Sequence, residues 1–271
     1  VLQVCFVMTF AVYATVFVAS SIAGRLRQRE EELEEAYRGL KSLEEIKSQF
    51  MRKTSHELRA PLGAMQSLLK AAERQMPEDV PGRDLVDRAQ ARSQHTLDLV
   101  DDLLRYSRLQ AVLDVDRFEA VELAEIVRGA ADMFRTQAEE KRVRLEIETA
   151  STPVRGVRDR LMDLVNNLVS NAIRYTGDGG AVTVRVGCEQ GGAVLAVSDT
   201  GIGIPPQEQD RIFDEFYRGE EAKRSVEHGT GLGMTIVRRV VDLHQGRIEV
   251  DSTPGRGTTF RVTLPICRNE G

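Results

Sequence analysis

The first 24 residues are apolar along almost their whole length and contain no Asp, Glu, Lys or Arg. A helix of this length crosses a hydrocarbon layer of about 30 Å. Arg25, Arg27 and Arg29 follow at once, and clustered basic residues mark the cytoplasmic side of a membrane helix. The pattern predicts a transmembrane helix over 1–24 with the rest of the chain cytoplasmic; the alternative is a helix buried in a protein core. Because the sequence opens on Val1 inside the apolar run, we also expect the natural chain to extend upstream.

Apolar residues recur every seven positions across 25–50. One series is Leu26, Leu33 and Leu40, and the second is Ala36, Leu43 and Phe50. Such a repeat is typical of the seam of a coiled coil, so this segment is predicted to be a parallel dimeric coiled-coil helix. Lys47 stands where the seam expects an apolar residue, which predicts a weak coil. A single charged helix in solvent is the alternative.

Two helices joined by a turn are predicted between 51 and 110. The first has a 3.6-residue apolar period and the turn is MPEDVPG at 76–82. The second helix, 83–109, has two apolar stripes, so it is expected to be buried on two sides. A hairpin of this kind is best satisfied in a four-helix bundle made by two chains. The stripe of the first helix is formed by Leu58, Leu62, Met65, Leu69 and Ala72.

Beyond a linker at 110–117, the spacing of apolar residues changes to that of strands mixed with helices. Alternating segments predict strands at 143–149, 181–189, 192–199, 246–252 and 258–265. Helical periods fall at 122–141, 159–175 and 232–244. This mixture predicts an α+β sandwich with one sheet and one layer of helices.

Charge and cysteine content narrow the function. The net charge of −5 argues against a broad basic surface for nucleic acid. Cys5, Cys188 and Cys267 lie far apart and form no CxxC or Cys/His cluster, so a zinc site or a disulfide framework is not expected.

His56, in FMRKTSHELRAPLG, is the first candidate for chemistry. It lies about 200° around the helix from Leu58 and is therefore predicted to face solvent. Imidazole is a nucleophile near neutral pH, and the adjacent Glu57 could accept its proton. Pro61 removes a backbone donor and is expected to bend or loosen the helix nearby. The alternative is an exposed histidine with no chemical role.

Two glycine-rich segments and one helix face are the second candidate. DTGIGIP at 199–205 follows a strand, and GTGLG at 229–233 opens a helix whose free N–H groups could bind phosphate. Neither is a Walker loop or a Rossmann fingerprint. Asn167, Asn171 and Arg174 share one helix face, which suggests oxygen ligands for a hard cation beside a phosphate partner. Turns, caps and a solvated polar face are the alternatives.

Taken together, these motifs resemble those of sensor histidine kinases. SHELRAPL resembles the H box, NNLVSNAIRYT the N box, DTGIGIP the G1 box, FDEFYR the F box and GTGLGMTIVRRVVDLHQGRI the G2 box, in the family's order over 50–265. The resemblance implies a multidomain chain: a transmembrane helix (1–24), a coiled-coil signalling helix (25–50), an all-α hairpin that forms a dimeric four-helix bundle for phosphotransfer (51–110), and an α+β sandwich ATP-binding domain of the GHKL or Bergerat type (117–268).

The resemblance also implies roles for single residues. His56 would be the phosphoacceptor and Glu57 its proton acceptor, Asn171 would coordinate Mg²⁺ between the ATP phosphates, and Asp199 would accept a hydrogen bond from the adenine amino group. Residues 205–228 would form a mobile lid that contains a short amphipathic helix with Phe213 and Phe216. The other expected nucleotide contacts are Asn167, Arg174, Tyr175, Gly201, Gly203, Ile204, Gly229, Thr230, Gly231, Leu232, Gly233 and Thr258.

The implied function is that of a membrane-bound sensor histidine kinase, in the bacterial inner or plasma membrane. With ATP and Mg²⁺ it would phosphorylate His56 within a homodimer and pass the phosphoryl group to an aspartate of a response regulator. Ala60 replaces the Thr or Asn found in many members and predicts weak phosphatase activity. The short segment before the H box predicts that the signal passes directly through the coiled coil. An ATPase with the same nucleotide fold and a non-catalytic scaffold are the alternatives.

Overall fold

The structure, a computed structural model, describes residues 2–75, 82–110, 118–189, 191–225 and 229–267. The side chains of residues 2–19, 40, 41, 44, 45, 48, 52, 56 and 108–110 lie outside this description. Most of the predicted turn at 76–82, the linker at 111–117 and the end of the predicted lid at 226–228 also lie outside it.

The first helix, α1, runs without interruption from Leu2 to Gln75 and includes Pro61. Its part up to Phe50 forms one compact unit, and the chain from Met51 onward forms another. The described seam side chains Leu26, Leu33, Leu43 and Phe50 are exposed in the single chain. Among the side chains that the structure describes, which exclude residues 1–19, no helix is both long and apolar enough to cross a membrane. The membrane helix and the coiled coil therefore stay predictions.

The predicted helical hairpin is present. Its second helix, α2, spans Arg83–Gln110, and polar side-chain pairs join it to α1. Leu58, Met65 and Leu85 are exposed in the single chain, which is the surface that a second hairpin would have to cover. The polar pairs are Arg59 with Asp101, Gln66 with Gln94 and Glu73 with Gln90.

The five predicted strands form one sheet in the order β2-β4-β5-β7-β6, in which β2 and β4 are parallel and the other neighbours antiparallel. The strands are β2 Arg144–Thr149, β4 Ala181–Glu189, β5 Gly192–Asp199, β6 Arg247–Thr253 and β7 Gly257–Pro265. A short pair that the sequence did not predict, β1 Glu119–Glu122 and β3 Pro153–Gly156, runs antiparallel beside α3 and α4.

Three helices supply the apolar layer of the sandwich: α3 Leu123–Glu140, α4 Arg158–Tyr175 and α7 Gly233–Leu243. Leu161, Leu164, Leu168 and Ile236 are fully buried there together with Leu195 of the central strand β5. The predicted sandwich is therefore confirmed. Because α4 and α7 pack directly together, the end of the polar N box face is brought beside the glycine segment that opens α7.

The prediction of one short helix that contains both Phe213 and Phe216 is wrong. The segment instead forms α5 (Pro206–Gln209), a 3₁₀ turn (Arg211–Phe213) and α6 (Glu220–Ser225). Phe216 lies between them with φ +61°, a left-handed conformation that no helix continues through. Its backbone packs against Gly231, where an added Cβ would lie 2.6 Å from the Phe216 carbonyl carbon. Tertiary contact with the glycine segment therefore overrides the local helical period.

Candidate functional site

A cavity of about 640 Å³ lies between α4, the end of β5, the segment 202–205, the segment 229–234 and α2. It brings together most of the residues selected from the sequence. Gly201 and Leu232 do not line it, Glu57 is exposed on α1, and the side chain of His56 lies outside the described residues. The predicted residues that line it are Asn167, Asn171, Arg174, Tyr175, Asp199, Gly203, Ile204, Gly229, Thr230, Gly231, Gly233 and Thr258.

Asp199 lies at one end of this cavity, on the last residue of β5. Its Oδ1 accepts hydrogen bonds from the backbone N–H groups of Gly201 (2.8 Å) and Thr258 (3.3 Å). Within the described residues no group donates to Oδ2, which leaves that oxygen for a ligand. Burial raises the pKa of Asp199 to about 6, against the effect of the two backbone donors.

The segment after Asp199 is fixed by close backbone packing. A Cβ on Gly201 would collide with the Tyr175 carbonyl oxygen, and one on Gly203 would collide with that of Thr253. Gly203 also has φ +70°, which an L side chain rarely adopts. The Ile204 N–H donates to Ser252 Oγ at 2.8 Å. This end of the cavity is therefore built from the sheet itself.

The N box face of α4 forms the side wall. Asn167 donates its amide N–H to the Asp163 carbonyl at 2.7 Å, and its Oδ1 faces Gly233. Asn171 and Arg174 follow on the same face of the helix. Among the described residues no group of three or more His, Cys, Asp or Glu converges as a metal site. Amide oxygens are ligands that Mg²⁺ accepts when phosphates supply the negative charge, so the side chains of Asn167 and Asn171 fit that ion.

The glycine segment 229–233 closes the other end. The hydroxyl of Thr230 donates to Asp102 Oδ2 of α2 at 2.6 Å and accepts a hydrogen bond from the Leu232 N–H at 3.2 Å. Leu232 is the N-cap residue of α7. The side chain of Leu232 is fully buried, so its predicted contact with a ligand is possible only through the backbone.

A second set of lining residues, which the sequence motifs do not predict, comes from α2. His95, Asp98, Asp101, Asp102 and Arg105 all face the cavity. Their spacing of three or four residues places them on one helix face, which is the signal that could have singled them out. Burial raises the pKa of Asp102, while the Thr230 hydroxyl and the charges of Arg105 and Arg174 act in the opposite direction. The Tyr106 hydroxyl donates to Glu215, which adds a second contact from α2 to this domain.

The hairpin places His56 close in height to this part of α2. Arg59 pairs with Asp101 and Gln66 with Gln94, so residues that face each other across the antiparallel hairpin have numbers that add up to about 160. The backbone of His56 is therefore level with residues near Leu104 and Arg105. That its imidazole faces solvent stays a prediction.

His244, the C-cap residue of α7, is a buried structural residue. Its ring is buried, Nδ1 donates to the Val240 carbonyl at 2.7 Å, and Nε2 accepts from the Val157 N–H at 3.1 Å. Burial lowers the pKa of His244, so the ring is neutral at physiological pH. It therefore ties the C-terminal end of α7 to the N-terminal end of α4.

Comparison with known families decides the assignment. Residues 156–268 match the model described as "Histidine kinase-, DNA gyrase B-, and HSP90-like ATPase". Residues 46–112 match the "His Kinase A (phospho-acceptor) domain". The chain belongs to the sensor histidine kinase family. This pair of domains supports a protein histidine kinase over the two alternatives, an ATPase with the same nucleotide fold and a non-catalytic scaffold.

Several histidine kinases are similar over most of the chain. The sensor-like histidine kinase SenX3 of Mycolicibacterium smegmatis is 33% identical over 225 residues, which cover 82% of this chain and 58% of SenX3. The alginate biosynthesis sensor protein KinB of Pseudomonas aeruginosa is 30% identical over 83% of this chain and 38% of KinB. The crystal structure of full-length ShkA with AMPPNP is 26% identical, with a TM-score of 0.63 over 81% of this chain and 46% of ShkA. The chain thus spans about half the length of such kinases.

Proposed function

We propose that this protein is an ATP-dependent histidine kinase of a two-component system, which phosphorylates its own His56 and passes the phosphoryl group to an aspartate of a response regulator. The observation that carries the proposal is the half-buried Asp199 carboxylate. It leaves one oxygen open at the end of a cavity that the N box and glycine segments also border. The same compact unit contains the helix of the phosphoacceptor domain.

In this proposal the sheet end of the cavity binds adenine. Asp199 Oδ2 accepts a hydrogen bond from the adenine amino group, while Thr258 and Ile204 contact the ring system. The close packing at Gly201 and Gly203 holds these groups before any ligand arrives. Support comes from ShkA, a relative whose structure was solved with the ATP analogue AMPPNP.

The other end binds the triphosphate. Asn171, with Asn167 beside it, supplies amide oxygens for Mg²⁺, and Arg174 contacts a phosphate. Helix α7 begins at Gly233, shortly after Gly229 and Gly231 in the chain. The free N–H groups of its first turn favour negative charge at this end of the cavity. When bound, Mg²⁺ neutralises charge on the phosphates as the phosphoryl group is transferred.

His56 is the nucleophile. One of its ring nitrogens forms a bond to the γ-phosphorus, the bond from that phosphorus to the β–γ bridging oxygen breaks, and ADP leaves. Glu57, which is exposed on α1, accepts the proton that the imidazole loses. The chain's own contribution is to orient both groups and to bring the two domains together.

The test is a labelling experiment. The chain is incubated with Mg²⁺ and ATP labelled at the γ-phosphate, and we expect label that is lost in acid and kept in base. His56→Gln should abolish labelling and leave ATP binding intact, and Asn171→Asp should abolish the metal-dependent steps. A His56→Gln protein that still labels would reveal another acceptor. Phosphate release without labelling would indicate an ATPase, and calorimetry without ATP binding would indicate a scaffold.

Membrane location, the homodimer and the division into segments 1–24, 25–50, 51–110 and 117–268 belong to this proposal. The apolar sequence of residues 1–24 supports a membrane anchor, and the exposed apolar side chains of the hairpin support a dimer. Fractionation of cells that express the full chain tests the first, and the molar mass of a chain that begins at Arg25 tests the second.

Weak phosphatase activity toward the regulator is also proposed. Ala60, exposed one turn after His56, has no polar group that could orient a water molecule. Ala60→Thr should therefore speed the loss of phosphate from the phosphorylated regulator. Rapid dephosphorylation by the unaltered protein would contradict this expectation.

A further inference from the structure

Helix α2 is bound to the phosphate end of the cavity by two side-chain hydrogen bonds. Asp102 accepts from the Thr230 hydroxyl at 2.6 Å, and the buried Tyr106 donates to Glu215. Thr230 belongs to the glycine segment and Glu215 to the F box segment, so both segments are bonded to the helix that pairs with the His56 helix.

The bond at Thr230 places a carboxylate at the start of α7. The Thr230 oxygen accepts from the Leu232 N–H, which is one of the donors left free at a helix N-terminus. Its proton is directed to Asp102. The partial positive charge at the N-terminus of α7 therefore already has a negative partner. This partner is the Asp102 carboxylate, which is linked to the helix through the Thr230 hydroxyl.

Charged side chains of both signs act on Asp102: Arg105 and Arg174 favour its negative charge, and Asp98 opposes it. Asp98 and Asp101 of α2 line the same cavity as Asn171 and Arg174. Under the proposed function, a triphosphate would have to enter this space. A phosphate that approached Thr230 would be repelled by the Asp102 carboxylate and would compete with it for the Thr230 hydroxyl and for the charge of Arg174.

We propose that Asp102 competes with the nucleotide's phosphates: the docked α2 holds the glycine segment in a phosphate-free arrangement, and binding of the triphosphate displaces Asp102 from Thr230 and releases α2. Binding of the nucleotide is thereby coupled to the release of α2, the helix that packs beside the helix of His56. Thermodynamic linkage requires the converse as well, so a docked α2 weakens ATP binding by the same factor. The inference rests on the proposed function, because it assumes that the cavity binds ATP.

The test compares ATP with adenosine, which lacks phosphates, by calorimetry on full chains that also have His56→Gln to prevent turnover. Asp102→Ala should tighten ATP binding by about five- to tenfold, the size of an ordinary coupling between sites, and leave adenosine binding within about twofold. Tyr106→Phe removes the hydroxyl that donates to Glu215 and should tighten ATP binding by about twofold. Asp87→Ala removes an exposed acidic residue of α2 that does not line the cavity and should change neither ligand.

Hydrogen exchange provides a second measurement, together with Asp102→Asn, which keeps the size of the side chain and is useful if Asp102→Ala fails to fold. ATP should raise exchange in residues 98–107 of the unaltered chain, and the Asp102 variants should show the raised exchange without ATP. Unchanged or weaker ATP binding in both variants, with adenosine bound normally, would overturn the inference and leave the proposed function standing. An unaltered chain that binds neither ligand would overturn both.

Discussion

At the sheet end of the cavity Asp199 is held by two backbone N–H groups, whereas at the other end the Thr230 hydroxyl bonds to one backbone N–H and to a side chain of another domain. The first arrangement depends on strand pairing between β5 and β7, which places Asp199 opposite Thr258. The second depends on α2 remaining docked. The cavity therefore has a fixed end at Asp199, which is suited to recognising a base. Its switching end, at Thr230, is assembled from two domains that can separate.

The largest effect on ligand affinity should come from Asp199→Asn, which replaces the proposed adenine acceptor at the fixed end. The amide oxygen can keep both backbone bonds, but an amide N–H₂ then faces the adenine amino group. We expect affinity for ATP and for adenosine to fall by about 100-fold, since a buried donor loses its acceptor. Calorimetry with both ligands measures this, and a loss confined to ATP would contradict the placement of adenine at Asp199.

The same variant should be more stable without ligand. Because the pKa of Asp199 rises from 3.8 to about 6 on folding, the ionised carboxylate costs at most about 3 kcal/mol above pH 6. This cost vanishes below pH 3.8, where the group is protonated in both states. Asp199→Asn should therefore raise the melting temperature more at pH 8 than at pH 5. An equal gain at both pH values would show that burial of this charge is not the cause.

Two glycine variants compare the rigidity of the two ends. At Gly203 an alanine meets the Thr253 backbone at positive φ, and we expect a loss of about 2–4 kcal/mol in the free energy of unfolding. At Gly229 the added Cβ meets only the flexible Arg218 side chain, at 3.3 Å, and the expected loss is below about 1 kcal/mol. Urea unfolding measures both, and similar losses would remove the proposed difference between the ends.

Arg174→Ala should affect only the phosphate end. Losing a charge-assisted contact is expected to weaken ATP binding by about 20-fold, with adenosine binding unchanged. Arg174→Lys serves as the matched control, because it keeps the charge and should recover part of the affinity. If adenosine binding falls as well, Arg174 supports the fold of the site and does not contact phosphate.

The smallest expected effect is a pH dependence of adenosine binding. The two backbone N–H groups occupy Oδ1 of Asp199, so a proton would bind at Oδ2 and prevent this oxygen from accepting the adenine amino hydrogen. Affinity for adenosine should therefore fall as pH falls through about 6, by about tenfold between pH 7 and pH 5. Adenosine is the right probe because Asp102 and Asp163, whose pKa values burial also raises, lie toward the phosphate end and α4. In the Asp199→Asn variant the dependence should disappear.

The sequence predicted the fixed end better than the switching end. Alternation located β5 and β7, and the motif DTGIGIP located Asp199, because both signals are local in the chain. The contributions of Asp102 and Tyr106 come from more than 100 residues away, and no local period reports such a contact. Phe216 was misplaced on a helix for the same reason, since its conformation depends on the distant Gly231.

Short elements were missed for a different reason. Strands β1 and β3 have four residues each, which is too few for an alternating pattern to be distinguished from a loop. The pairing places Val121 opposite Val154, and both side chains are buried in the fold. The role of His244 was missed because its partner, the Val157 N–H, is a backbone group 87 residues away.

The contact between Phe118 and His244 sets where the catalytic half can be separated from the rest. The two rings lie 5.2 Å apart, and the histidine ring also fills the space next to Gly156. A fragment that starts after Phe118 would expose the edge of this imidazole to water and weaken the joint between α4 and α7. For crystallisation or inhibitor screening of the isolated domain, the first residue should therefore be placed upstream of Phe118.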